Sequence, residues 1–306
     1  MIWLHRYARL LVAATLLLVA AGGMVTSTNS GLSVPDWPTS YGYSMFSFPL
    51  SKMVGGIFYE HGHRLIASGV GVLTIGLVIF IWRVDPRAWM KRLSLVGLAA
   101  VILQGVLGGL TVRFMLPAPI SIGHAGLAQL FFCLTVGIAL FTSRTWIVPA
   151  APPVDDARLR SRALGLTALI YVQILIGATM RHLGAGLAIP DFPLAFGHLV
   201  PPTWSTQIAV HFTHRVVALI VIAGILANAG WIRARYRGRP ELVRPSTWLI
   251  LAVLVQGTLG ALVVLTAKQP VVNTLHVATG AIVLATSLIV TLRAFRVRFP
   301  LPARMS

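Results

Sequence analysis

Eight stretches of this chain run for roughly 18 or more residues with scarcely a charge, long enough to cross a hydrocarbon core of about 30 Å. They lie near 8–28, 63–82, 93–112, 121–142, 163–180, 208–232, 247–267 and 270–292. With 57% hydrophobic and 10% charged residues over 306 positions, the chain has more apolar surface than a soluble core of its length can hide. Lipid is therefore its solvent, and the fold class is all-α integral membrane.

A formal charge of +18 raises the question of nucleic acid, but the position of the charges excludes it. The basic residues fall in alternate loops. Arg6 and Arg9 precede the first run, and Arg83, Arg87, Lys91 and Arg92 separate the second from the third. Arg144, Arg158, Arg160 and Arg162 lie between the fourth and fifth. Arg233, Arg235, Arg237, Arg239 and Arg244 follow the sixth, and Arg293, Arg296, Arg298 and Arg304 close the chain. The intervening loops carry only Lys52, Arg113, Arg181 and Lys268. By the positive-inside rule, both termini are expected in the cytoplasm; the expected location is the cell's inner (plasma) membrane. Cys133, the single cysteine, excludes an intrachain disulfide and reads as a small buried hydrophobe.

The chain also repeats itself. "SGLSVPDWP" at 30–38 is echoed by "AGLAIPDFP" at 185–193. His63-Arg64 returns 151 residues later as His214-Arg215; "QGVLGGLTV" from Gln104 returns 152 later as "QGTLGALVV" from Gln256, and His124 returns 152 later as His276. An even number of runs per copy makes the copies parallel. The expectation is two tandem four-helix bundles related by a pseudo-two-fold along the membrane normal. The halves are 1–147 and 161–306, joined by a proline-rich cytoplasmic linker at 148–160. A first run that has an internal homologue argues against a cleaved signal peptide. Gly105 and Gly109, with Gly257 and Ala261 in the second copy, have the small-xxx-small spacing that lets helices approach closely.

The repeat sorts the histidines. His63, His124, His214 and His276 all fall about one turn inside the outer face, two per half and on non-adjacent runs. Imidazoles inside a span are costly and mark sites. A pair at one height across a bundle fits the axial ligands of a haem iron. His5, His61, His182 and His198 read as solvent or cap residues. Arg64 and Arg215 are candidates for haem propionates, snorkelling to headgroups being the alternative. Gln104 and Gln256 are matched buried amides, for a ligand or for interhelical bonding.

Glu60 shares a helix face with His63, and His211 takes its place in the second copy. A carboxylate beside one pocket only makes that pocket the candidate for chemistry, since it can take a proton or stabilise developing positive charge. Capping of a helix N-terminus is the bland alternative.

These features together resemble the haem A synthase family. The resemblance rests on eight spans, the tandem repeat, "GLSVPDWP" with "GLAIPDFP", Glu60-x-x-His63-Arg64, His124, His214-Arg215 and His276. It implies that His214 and His276 hold a haem b cofactor, that His63 and His124 bind the substrate haem O, and that Glu60 serves the catalytic step. The implied reaction oxidises the C8 methyl of haem O to a formyl group, giving haem A for terminal oxidases. In one scheme Glu60 stabilises a cation before water adds. The implied partners are the farnesyltransferase that makes haem O and an electron acceptor, with an oligomer left open. Many members carry a cysteine pair in the first outer loop, though cysteine-free members exist. Val34 and Ser40 stand at those positions here, which rules out any mechanism that needs the thiols.

Two readings compete. A two-haem membrane electron carrier explains four histidines, but not a glutamate in one copy only, nor two pairs at the same depth. A parallel-repeat transporter calls for broken spans and a midplane polar site, and no charge falls at mid-span here.

Overall fold

The computed structural model describes residues 1–148 and 155–296. Its helices are α1 (Ile2–Ser27), α2 (Gly56–Val84), α3 (Ala88–Arg113), α4 (Ala118–Phe141), a short α5 (Arg144–Ile147), α6 (Ala157–His182), α7 (Thr206–Arg235), α8 (Pro240–Leu265) and α9 (Pro270–Phe295). All but α5 are long and apolar enough to cross a membrane, which bears out the all-α reading with eight spans. Helices are the required solution, because backbone N–H and C=O groups find no water in lipid and must pair within their own segment. Among the described residues the only β-type pairings are two isolated bridges, Ser40 with Tyr43 and Ala195 with His198.

The spanning helices have 24 to 30 residues. At about 1.5 Å per residue they overshoot a hydrocarbon core of about 30 Å. Several begin before the apolar runs do, α1 at Ile2 and α2 at Gly56. An apolar run stops at the first polar side chain, whereas a helix continues while that side chain finds a partner. His5, expected as a tail residue, donates from Nδ1 to the carbonyl of Ala139 on α4 at 3.0 Å. Asp156 caps α6, accepting from the backbone N–H of Arg158 at 2.8 Å and of Leu159 at 3.1 Å. Ser205 caps α7 through the Ile208 N–H, and Gln269 caps α9 through that of Val272. Of the expected linker, residues 149–154 lie outside the described residues, as do Arg298 and Arg304.

The middle of the bundle is α1, α4, α6 and α9: α1 packs on α4 and α9, and α6 does the same. Helices α2 and α3 attach through α1 and α4, and α7 and α8 through α6 and α9. Leu4, Leu11, Leu77, Ile81 and Phe131 close one core; Ile170, Val221, Ile225, Leu249 and Leu284 close another. Between them, Phe132 and Val136 of α4 meet Ala281 and Ala285 of α9. Lipid tails are as apolar as these side chains, so close dispersion contact holds the seam, and alanines allow that approach. Val72 and Ile79 on α2, Ile102 on α3 and Leu219 on α7 remain exposed, as a lipid-facing surface requires.

The connections repeat in three dimensions. The turn from α3 to α4 places Met115 and Leu116 at φ 57° and 60°, and the turn from α8 to α9 places Ala267 and Lys268 at 49° and 63°. In each, the second residue's N–H donates back over 2.7 Å, Leu116 to Thr111 and Lys268 to Val263.

Candidate functional site

The outer loops explain why Pro-Asp-aromatic-Pro recurs. Asp36 accepts from the Tyr41 N–H at 2.6 Å, the Gly42 N–H at 2.9 Å and the Thr39 hydroxyl at 2.5 Å. Asp191 accepts from the Phe196 and Gly197 N–H groups, both at 2.8 Å. The aspartate in each loop thus closes a turn whose last two residues are left-handed: Tyr41 and Gly42 at φ 50° and 77°, Phe196 and Gly197 at 57° and 78°. Partial burial works to raise the Asp36 carboxyl, but the donors from Gly42, Thr39 and Tyr41 outweigh it and hold the group at about 2. The Gly197 and Phe196 N–H groups likewise hold the Asp191 carboxyl below its usual range. A carboxyl depressed in the folded state stabilises fully above its unfolded pKa of about 3.9, and that contribution fades as pH falls through the folded value. Protection of the amides at residues 36–42 against hydrogen exchange, taken relative to the intrinsic rate at each pH, is therefore expected to hold down to pH about 4 and to fall from there toward pH 2. Asp36→Asn should remove this step; a step that persists would place its origin elsewhere.

Each loop is latched to a helix by an arginine. Arg64 donates to the carbonyls of Val34, Asp36 and Thr39 at 2.8 to 3.0 Å, and to Glu60 Oε1 at 2.7 Å. The other oxygen of Glu60 accepts the Val34 N–H at 2.8 Å. In the second copy Arg215 donates to the carbonyls of Ile189, Asp191 and Leu194 at 2.8 to 3.0 Å, and from Nε to His211 Nε2 at 3.1 Å. His211 Nδ1 lies 3.3 Å from the Ile189 nitrogen. His211 thus occupies the structural place of Glu60, and both arginines are engaged by loop carbonyls at the positions expected for propionate contacts. The Glu60 carboxylate, expected to face the first pocket, is taken up by the latch. His61 is buried beneath the first loop, with Nδ1 2.9 Å from Ser40 Oγ and its ring against Phe48. It is a cap residue, as expected, but not a solvated one.

The paired histidines lie on α2, α4, α7 and α9. Each rests on a glycine of a neighbouring span. A Cβ at Gly22, Gly108, Gly177 or Gly260 would stand 3.0 to 3.2 Å from Cε1 of His63, His124, His214 or His276 respectively. A Cβ there would make the imidazole give by a few tenths of an ångström, so these glycines allow the close approach. Gly105 and Gly109 do not perform the helix packing expected of them. Gly105 faces open space, and a Cβ at Gly109 would overlap the Trp37 indole of the first loop.

The ring centres of His214 and His276 are 6.5 Å apart. A metal–imidazole bond is about 2 Å and a ring centre lies about 1 Å beyond its nitrogen, so two rings on opposite sides of one ion stand about 6 Å apart. The pair therefore fits one iron between its rings. The Nδ1 atoms of His63, His124 and His276 are buried without a partner, so polar capacity stands ready around both pairs. Among the described residues no group of three or more His, Cys, Asp or Glu is placed to hold an ion. Gln104 Nε2 donates to the His124 carbonyl at 3.0 Å and lies 3.4 Å from its Nε2. Gln256 Nε2 lies 3.3 Å from His276 Nε2. Both glutamines thus make interhelical contacts, and each makes them to a candidate ligand.

Eight membrane spans, repeated loop caps and two partly buried histidine pairs seated on glycines define a class of multi-pass membrane proteins suited to holding planar metal cofactors between helices. The model of the COX15-CtaA family, described as cytochrome oxidase assembly protein, matches residues 5–288, and the chain belongs to this family. It is 31% identical to the Heme A synthase of Symbiobacterium thermophilum, over 82% of each chain. It is 32% identical to the Heme A synthase of Caulobacter sp. (strain K31), over 98% of this chain and 96% of the relative. Against the Heme A synthase of Geobacillus kaustophilus the identity is 28%, over 85% of this chain and 81% of the relative.

Proposed function

We propose that this chain is the enzyme that oxidises the C8 methyl of haem O to a formyl group, giving haem A for terminal oxidases. The observation that carries the reading is two glycine-seated histidine pairs at repeated positions in a chain whose relatives, at 31% and 32% identity, are Heme A synthases. Residues 1–147 form the half that takes haem O on His63 and His124. Residues 161–306 form the half that holds haem b on His214 and His276, joined to the first by a cytoplasmic linker at 148–160. The two are parallel bundles related by a pseudo-two-fold, in the inner membrane with both termini cytoplasmic; the alternation of basic loops supports this orientation.

Methyl-to-formyl conversion removes four electrons, and bound haem b supplies a redox centre to carry them away. The protein's own part is positioning. The histidines and their glycine seats fix where each porphyrin sits, and the latched loops cap the outer ends of the pockets. Glu60, held in the first half's latch where the second half has His211, is the carboxylate that serves the catalytic step.

The reading is tested by expressing the chain in a host that makes haem O but no haem A, and identifying the extracted haems by chromatography and mass spectrometry. Haem A or its hydroxymethyl precursor is the expected product. Haem b alone, with haem O present and the protein folded, would indicate an electron carrier.

A further inference from the structure

The latches commit Arg64 and Arg215 to loop carbonyls, although both stand where propionate contacts are expected. Arg181, near the outer end of α6, is committed to far less. Its Nη1 donates to Thr26 Oγ1 on α1 at 2.8 Å, and among the described residues no carboxylate forms an ion pair with it. Most of the N–H donors of its guanidinium are therefore uncommitted. The repeat shows where this group stands. Gly22 and Gly177 are matched seats, and Thr26 and Arg181 each lie four residues beyond one of them, so the two residues are themselves a matched pair. The Arg181 backbone rises one helical turn, about 6 Å, above the seat of His214, and its side chain ends on Thr26, the same height above the seat of His63. An arginine that snorkels to lipid headgroups turns toward the perimeter. Arg181 turns inward: α1 and α6 both belong to the middle of the bundle, each packed on α4 and α9, and the side chain reaches from one to the other. Arg181 is exposed and Thr26 half-buried, so an anion can reach the pair.

We infer that Arg181, contributed by the second half, binds a propionate carboxylate of haem O in the first pocket and so sets the orientation of the substrate. This deepens the assignment of haem O to His63 and His124, and rests on it. Those histidines place the iron about one turn inside the outer face, and a carboxylate is costly in hydrocarbon, so the propionates belong on the outer side, at the level of Thr26 and Arg181. Two axial imidazoles leave a porphyrin free to turn about the axis through its iron. A guanidinium on one propionate stops that rotation. The in-plane orientation decides which ring methyl is offered for oxidation, and in haem O the C8 methyl is borne by a carbon beside one that carries a propionate. Holding that propionate therefore fixes the reacting methyl.

The test titrates haem O, and separately its propionate dimethyl ester, into the purified full-length chain carrying haem b but produced in a host that makes no haem O, with Kd read from the Soret band. The parent is expected to bind haem O about 10- to 100-fold more tightly than the ester. Arg181→Gln removes the charge and keeps a polar partner for Thr26. It is expected to weaken haem O by about the same factor, to bind the ester nearly as the parent does, and to keep haem b at the parental stoichiometry. Arg181→Lys keeps the charge without the fork and is expected to fall between parent and glutamine variant, so the test survives if the latter fails to fold. His63→Ala is the reference for loss of the site. If the Arg181 variants bind haem O as the parent does, or weaken haem O and ester alike, the inference is overturned. Haem b lost from these variants with haem O affinity unchanged would also overturn it, by placing the cation at the second pocket. If His63→Ala binds haem O with parental affinity, the pocket assignment fails instead, and the inference with it.

Discussion

Replacing His214 or His276 by alanine is expected to yield a folded chain that purifies without tightly held haem b and makes no detectable haem A, a loss of activity of at least about 100-fold. The two rings stand 6.5 Å apart from different helices, so each would supply half of the axial field, and the neighbouring His211 is held in the Arg215 latch. Both sit above glycines, so truncation leaves a void rather than a clash, and the bundle, packed mainly through α1, α4, α6 and α9, stays assembled. The same substitution at His63 or His124 should have a different signature: haem b retained at the parental stoichiometry, conversion lost. Haem b content per chain, measured as the pyridine complex, separates the two. If His63→Ala lost the resident haem and His214→Ala kept it, the roles of the halves would be reversed.

Much of this was legible in the sequence. The eight runs gave the spans because lipid requires long apolar helices, and the repeat offset singled out four histidines from nine. The loop motif was visible as a repeat; its physical content, an aspartate closing a left-handed turn, appears only when Asp36 and Asp191 are seen with their N–H partners. The arginine latches were not legible, because their acceptors are backbone carbonyls that leave no trace in residue identity. Gly105 and Gly109 were read as a packing stripe, while the glycine beside them, Gly108, seats His124. The repeat did contain that signal, since Gly108 returns as Gly260 and Gly22 as Gly177.

The latches also supply the cleanest way to ask what Glu60 does. Glu60→Ala mixes two effects, removing a carboxylate and leaving the buried Val34 N–H unpaired, a cost of about 1–3 kcal/mol to the cap. Glu60→His separates them, because the second half already runs its latch with His211 in that place. A neutral imidazole accepts at one nitrogen where the carboxylate accepts at both oxygens, so the Glu60→His latch is weaker, but the three loop carbonyls on Arg64 remain. The expected result is a loop with nearly parental protection from hydrogen exchange, haem binding intact, and haem A formation reduced by about 100-fold or more, the range lost with a positioned catalytic carboxylate. Should Glu60→His convert haem O at the parental rate, the carboxylate would be a latch alone, and the asymmetry between the halves would have to act through the histidine pockets themselves. Arg64→Ala provides the opposing control. It strips the partner from a buried carboxylate and all three carbonyl contacts from the loop, so the cap should loosen far more than in Glu60→His, by about 3–5 kcal/mol for the broken pair. A cap that opens in Arg64→Ala and holds in Glu60→His would then attribute lost conversion in Glu60→His to the missing charge and not to a displaced loop.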